Sequence, residues 1–259
     1  MSAAPSRAAA PLAAYVLHRY DWSESSLILD LFTRGEGRIV VAAKGAKRPT
    51  SQWRGVLLPF QRLTVVTGRR RETTGEEGAG EVLPLRSAEW AGGAALPRDA
   101  ALLAGFYLNE LLIKLLARHD PHPLLFDAYA ATLPALAAPR DAELETALRA
   151  FELLLLRETG LLPELGRETQ TQRALLDSQS YALRAEAGLV PVDEGGIAAA
   201  GWRALQAVLG RGDADVVALQ AAVAPWLAPL KTQLRQVLHY HLGTPMLRTR
   251  QLMIDLQAP

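Results

Sequence analysis

Two hydrophobic periods divide the chain. Up to about residue 90 the apolar positions fall in short runs: YVLHRY (15–20), SLILDLF (26–32), RIVVAAK (38–44), RLTVVTG (62–68) and EVLPLRSAE (81–89). They are rich in β-branched and aromatic residues and bounded by Gly, Pro, Asp and Ser clusters, which is the signature of strands. The separators are DWSES, TRGEG, a KGAKRPTSQWRG loop with LLPF feeding the fourth strand, and a Gly-rich acidic tip, TTGEEGAGE. Five short strands in so little chain predict a small closed barrel, of which the OB-fold is the commonest five-stranded kind. An SH3-like barrel fits the spacing as well.

Beyond residue 97 the period lengthens. DAALLAGFYLNELLIKLLARH puts Leu108, Leu112, Leu115 and Leu116 on one helical stripe, with Asp99 placed to cap it. LLFDAYAATLPALA, DAELETALRAFELLLLRETG, AGWRALQAVLG, DVVALQAAVAPWL and PLKTQLRQVLHYHLG also read as helices, and Gly160 suits the position just past the third of the six. The pattern lapses between residues 161 and 196, where one hairpin-like piece, YALRAEAGLVPV, stands out. The class predicted is α+β: a leader over 1–12, a barrel over 13–90, and a helical domain over 91–259 with an irregular or β insert near 161–196.

Composition narrows the chemistry. The chain has 259 residues and no cysteine, which removes disulfides, thiolate nucleophiles and Cys-based zinc sites. With no apolar run of membrane-spanning length and no signal-peptide core, a cytoplasmic protein is expected. The net charge of +1 hides an asymmetry: residues 34–71 carry ten Lys or Arg and one acid, Glu36, followed by Glu72, Glu76, Glu77 and Glu81. Ten like charges repel one another unless an anion is close, so the block reads as an anion-binding surface.

Phosphate loops, dinucleotide fingerprints and nucleophile elbows are missing. His119 and His122 are split by Pro121, and His239 and His241 point to different faces of a helix, so no metal or cofactor is expected. The RGD at 211–213 reads as a Gly turn with Asp213 capping the next helix, and Glu143, Glu145, Glu152 and Glu158 read as the solvated face of one helix. Binding without bond chemistry is the expectation. Within the basic block Arg38, Lys44 and Arg62 fall at strand positions, whereas Lys47, Arg48 and Arg54 share one loop with Trp53. An aromatic beside such cations suits stacking plus phosphate attraction in single-stranded nucleic acid. The plain reading of each tryptophan is a plug of the barrel, which for Trp22 fits at least as well as stacking.

Four segments, taken in order, resemble the RecO family of bacterial recombination mediators: YVLHRYDWSESSLILDLFTRGEGRIVVAAKGAKRP with WRGVLLPF, YLNELLIKLLARHDPHPLLFDAYAATL, LRAFELLLLRETG, and YHLGTPMLRTRQLM. The resemblance implies an N-terminal OB-fold followed by helices. It also implies binding of single- and double-stranded DNA, strand annealing, and loading of RecA with RecR onto strands coated by single-stranded DNA-binding protein. Contact with that protein's acidic, hydrophobic C-terminal tail and a place at the nucleoid follow from the same likeness. Lys44, Lys47 and Arg48 match the family's most basic motif; Arg38, Arg54, Arg62 and Trp53 join them as DNA contacts on charge and placement. For the tail's carboxylate, Arg149 comes first, with Arg157 or Lys231 as substitutes; the plain reading pairs Arg149 with Glu145. Many members carry a four-cysteine zinc module after the FELLLLRETG-like helix, so this chain resembles the zinc-less branch. The rival readings are an RNA-binding or ribosome-associated OB-fold protein, a nucleic-acid enzyme, and an interaction scaffold whose barrel binds an acidic partner.

Overall fold

A computed structural model describes residues 10–68, 82–137, 141–213, 215–243 and 246–257. Most of the expected leader, the acidic tip at 73–81 and Arg69, Arg70 and Arg71 lie outside the described residues. The chain divides into two compact units.

The first unit ends at Leu96 and includes Leu116–Pro123. Its strands are β1 (Leu12–Asp21), β2 (Leu27–Thr33), β3 (Gly37–Ala43), β4 (Leu63–Thr67) and β5 (Val82–Trp90). They close in the order β1-β2-β3-β5-β4, with β3 parallel to β5 and the other pairs antiparallel. This is the five-stranded OB-fold. Alternation along the strands sends Val16, Leu29, Leu31, Ile39, Val41 and Val65 inward to form the barrel core. Tight entry into β3 depends on Gly37: its φ is +66°, and a Cβ there would stand 2.0 Å from the backbone oxygen of Asp120. Beside it the His119 amide donates to the Arg38 carbonyl at 3.0 Å, so residues 116–123 line up along the barrel.

The second unit holds α1 (Asp99–Leu115), α2 (Pro123–Ala137), α3 (Asp141–Glu158), α4 (Ala199–Leu209), α5 (Val216–Val223), α6 (Leu227–Leu242) and α7 (Arg248–Gln257). Helix α3 runs through its middle, buried continuously from Ala147 to Leu156 and packed on α1, α5 and α6. Its end is a Schellman motif: Gly160 at φ +71° donates to the Arg157 carbonyl and Leu161 to that of Leu156, at 3.0 and 2.8 Å. Between α3 and α4 the hairpin β6 (Ser180–Arg184) and β7 (Gly188–Val192) is joined by β8 (Ile197–Ala198), in the order β7-β6-β8. The buried Trp202 indole fastens this sheet by donating to the Tyr181 carbonyl at 3.0 Å.

Two local readings are corrected. The cap of α5 is Asp215, whose carboxylate accepts from the Ala218 amide at 2.9 Å, and not Asp213. The RGD turn supplies Gly212 at φ +75°, and the Asp213 carbonyl lies 3.5 Å from Arg157 Nη1. Asp215→Ala is therefore expected to lower stability by about 1 kcal/mol in urea unfolding, and Asp213→Ala to leave the cap intact. The acidic residues of α3 are not one solvated face. Glu152 is fully buried, Glu145 pairs with Lys231 and Glu158 with Arg157.

Candidate nucleic-acid interface

The basic loop after β3 is rigidly held. Ala46 is buried under it, Gly45 turns it at φ +76°, and the Arg48 amide donates to the Gly45 carbonyl at 3.1 Å. It is also fastened to the β1–β2 turn. The Lys47 amide donates to the Ser25 carbonyl at 2.9 Å, the Gly45 amide reaches Ser26 Oγ at 3.3 Å, and Lys47 Nζ reaches Asp21 Oδ1 at 3.0 Å. Loop and turn thus form one ridge, with a cleft on each side.

The first cleft, of ≈ 460 Å³, is lined by Trp22, Ser23, Ser25, Lys44 and Arg48, with both cations exposed. Trp22 is 56% exposed, so it is no barrel plug. The second, of ≈ 470 Å³, is lined by Arg19, Asp21, Lys47, Trp53, Arg54 and Leu57. Trp53 stands on a 3-10 turn (Gln52–Arg54) whose start Ser51 caps, and it is half-buried against the barrel core. It pins the loop while lending one side to the cleft.

Arg38 and Arg62 stand apart from both clefts. The Arg38 side chain is only 12% exposed, lies 3.4 Å from Asp30 and donates to the Leu116 carbonyl at 3.0 Å. Burial raises the Asp30 pKa, opposed by the charges of Arg38 and Arg118. Arg38 therefore pairs with Asp30 on the strand face opposite the barrel core, against residues 116–123. Arg62 is exposed where its backbone pairs with Ala91 and Gly92, next in sequence to Gln61, which accepts from the exposed Trp90 indole at 2.9 Å.

The helical unit has its own cleft, of ≈ 410 Å³, floored by Ala104, Leu148, Leu238 and Leu247. Arg149, Lys231, Arg235 and Arg250 give it cationic walls. Arg149 is only 7% exposed and meets Glu152 Oε1 at 2.6 Å; the Tyr107 hydroxyl donates to the same oxygen at 2.6 Å. Arg149 Nε and Glu152 Oε2 are buried without a hydrogen-bond partner. Burial raises the Glu152 pKa, outweighing the Arg149 charge and the Tyr107 hydrogen bond. His239 in the same wall is pushed down, first by burial and then by Arg250 and Arg235. Glu145, the partner expected for Arg149, instead meets Lys231 Nζ at 2.6 Å. Arg157 lies outside this lining, fixed to Glu158 and to the Leu209 carbonyl at 2.7 Å. Sequence reasoning misses Tyr107 and Glu152, although Glu152 follows Arg149 at the i,i+3 spacing that allows a pair.

The sequence matches two family models, Recombination protein O N terminal over residues 11–76 and Recombination protein O C terminal over residues 100–251. The chain belongs to the recombination protein O family. It is 54% identical over 248 residues to the DNA repair protein RecO of Polaromonas naphthalenivorans (strain CJ2), covering 95% of this chain and 96% of that one. Against the DNA repair protein RecO of Acidovorax ebreus (strain TPSY) it is 53% identical over 255 residues, covering 94% and 95%. As a recombination protein O it is a DNA-repair protein. A four-cysteine zinc module does not fit this member, whose insert has no thiol and is closed by β6–β8 and Trp202. Among the described residues no helix is long and apolar enough to cross a membrane.

Proposed function

We propose that this recombination protein O binds single- and double-stranded DNA on the ridge of its barrel, anneals complementary strands, and works with RecR to load RecA onto coated single strands. The observation that carries the reading is the exposed Trp22 beside Lys44 and Arg48, on an inter-strand loop surface of an OB-fold. A base stacks on the indole while the cations meet phosphates, so binding is independent of sequence and sensitive to salt. Arg19, Lys47 and Arg54 extend the positive surface across the ridge, and Arg62 beside Trp90 adds an outlying contact. Two strands neutralised on one basic surface repel each other less, which is the physical minimum for annealing. No bond is made or broken, so the protein acts as a mediator and not as an enzyme, in the cytoplasm at the nucleoid.

The helical cleft suits the C-terminal tail of the coating protein. Its apolar floor takes the tail's hydrophobic residues, while Arg149 and Lys231 meet the carboxylates. The decisive experiment is annealing of complementary strands, bare and coated with single-stranded DNA-binding protein, across a salt series. Acceleration on both substrates that fades with salt is expected. No acceleration on either would refute the proposal, and RNA annealed in preference to DNA would favour an RNA-binding role.

A further inference from the structure

We propose that the two clefts beside the ridge hold two different strands, so that one barrel brings together both partners of an annealing reaction. This inference rests on the DNA-binding reading and goes beyond it in stating how many strands the site takes and where each lies.

Each cleft has a full set of groups for a single strand. Trp22, Lys44 and Arg48 serve the first; Trp53, Lys47 and Arg54 serve the second. The clefts have nearly equal volumes, ≈ 460 and ≈ 470 Å³. Neighbouring residues of one loop are shared out between them: Lys44 and Arg48 line one, Ala46 and Lys47 the other. What separates them is closed. Hydrogen bonds from Lys47 to Ser25 and from Gly45 to Ser26 join the loop to the β1–β2 turn, and buried Ala46 anchors it from below. A strand lying in both clefts would have to cross this linked segment.

The arrangement has a kinetic consequence. A second strand bound to the same barrel meets the first at an effective concentration on the order of mM, far above that of free strands. Each strand is neutralised by its own cations, and the ridge keeps them apart until complementary bases find each other above it. The clefts differ in detail. Trp22 offers an open ring face, whereas Trp53 is half-packed and Lys47 must leave Asp21, so the first cleft is the tighter and the second the exchanging one.

The test uses single copies of the full chain tethered to a surface, with two non-complementary single strands carrying donor and acceptor dyes. Unaltered protein is expected to hold both dyes on one copy, with energy transfer between them. The variants K44A/R48A and K47A/R54A, checked for native circular dichroism, should each keep one strand and lose the energy transfer. Annealing by either variant should slow by at least ~10-fold, because the intramolecular advantage is gone. The proposal is overturned if unaltered copies never hold more than one strand. It is equally overturned if either variant alone loses both strands, the mark of a single strand crossing the ridge. A chain that holds no strand at all removes the DNA-binding reading together with this inference.

Discussion

Arg149→Ala is expected to lower the stability of the helical unit by about 3–5 kcal/mol, far more than an exposed arginine would. The destabilisation comes from Glu152, which has no exposure and would keep the Tyr107 hydroxyl and the weaker influence of the Arg235 charge. Binding of a tail peptide would fall at the same time, so the single variant confuses folding with recognition. Arg149→Met with Glu152→Leu and Tyr107→Phe separates them. Removing the whole polar group leaves no stranded charge and should restore most of the unfolding free energy. Tail affinity should stay low, because the peptide carboxylate no longer meets that cation. Urea unfolding and fluorescence titration of a peptide ending in acidic and hydrophobic residues read the two effects. If the triple variant binds the peptide as the unaltered chain does, Arg149 has no part in that site. The pH dependence has a definite sign. Burial puts the Glu152 pKa above its unfolded value, so between the two values the native state holds more protons. This group's contribution therefore favours folding increasingly as pH falls into that window, and weakens as pH rises through the native pKa. Glu152→Gln should abolish that part of the slope.

The barrel is legible in the sequence because each strand carries its own β-branched pattern and each turn its own Gly or Asp; all five strands lie where the alternation puts them. Helix α7 is not legible, since RTRQLMIDLQ is too polar to show a stripe. Its first turn is held by the Glu110 carboxylate, 138 residues away in the chain, which accepts from the Arg248 and Thr249 amides. The acids of α3 mislead for a related reason. A helix covered by α1, α5 and α6 has no open side between Ala147 and Leu156, and periodicity alone cannot report how many neighbours a helix has. Charge along the basic block misleads similarly. Lys47 and Arg38 find Asp21 and Asp30 on β1 and β2, acids outside the block itself, so the repulsion is partly relieved within the fold. The two tryptophans also depend on tertiary context. A turn presents Trp22 to solvent, while a 3-10 turn rolls Trp53 against the core.

Changing Lys44, Lys47 and Arg48 together to Ala should flatten the log–log salt dependence of single-strand binding by about 2, at ~0.7 for each phosphate no longer neutralised. Trp22→Ala should act differently. It should cost about 1–3 kcal/mol of stacking and leave the slope nearly unchanged, because no counterion is released at an indole. Arg38→Ala is the control. Its guanidinium is engaged with Asp30 and the Leu116 carbonyl, so the slope should hold while the barrel becomes less stable. Lys47 is the informative member of the three, since Asp21 already offsets part of its charge at 3.0 Å. Lys47→Ala alone leaves that carboxylate facing the strand, so it should weaken binding more than a single missing cation would. Asp21→Asn should tighten binding and steepen the slope by freeing the same ammonium. Titrating a labelled oligonucleotide at several salt concentrations reads all five proteins on one scale. An unchanged slope and affinity in the triple variant would remove the ridge from the DNA site and leave Trp22 without the cations that make its exposure useful.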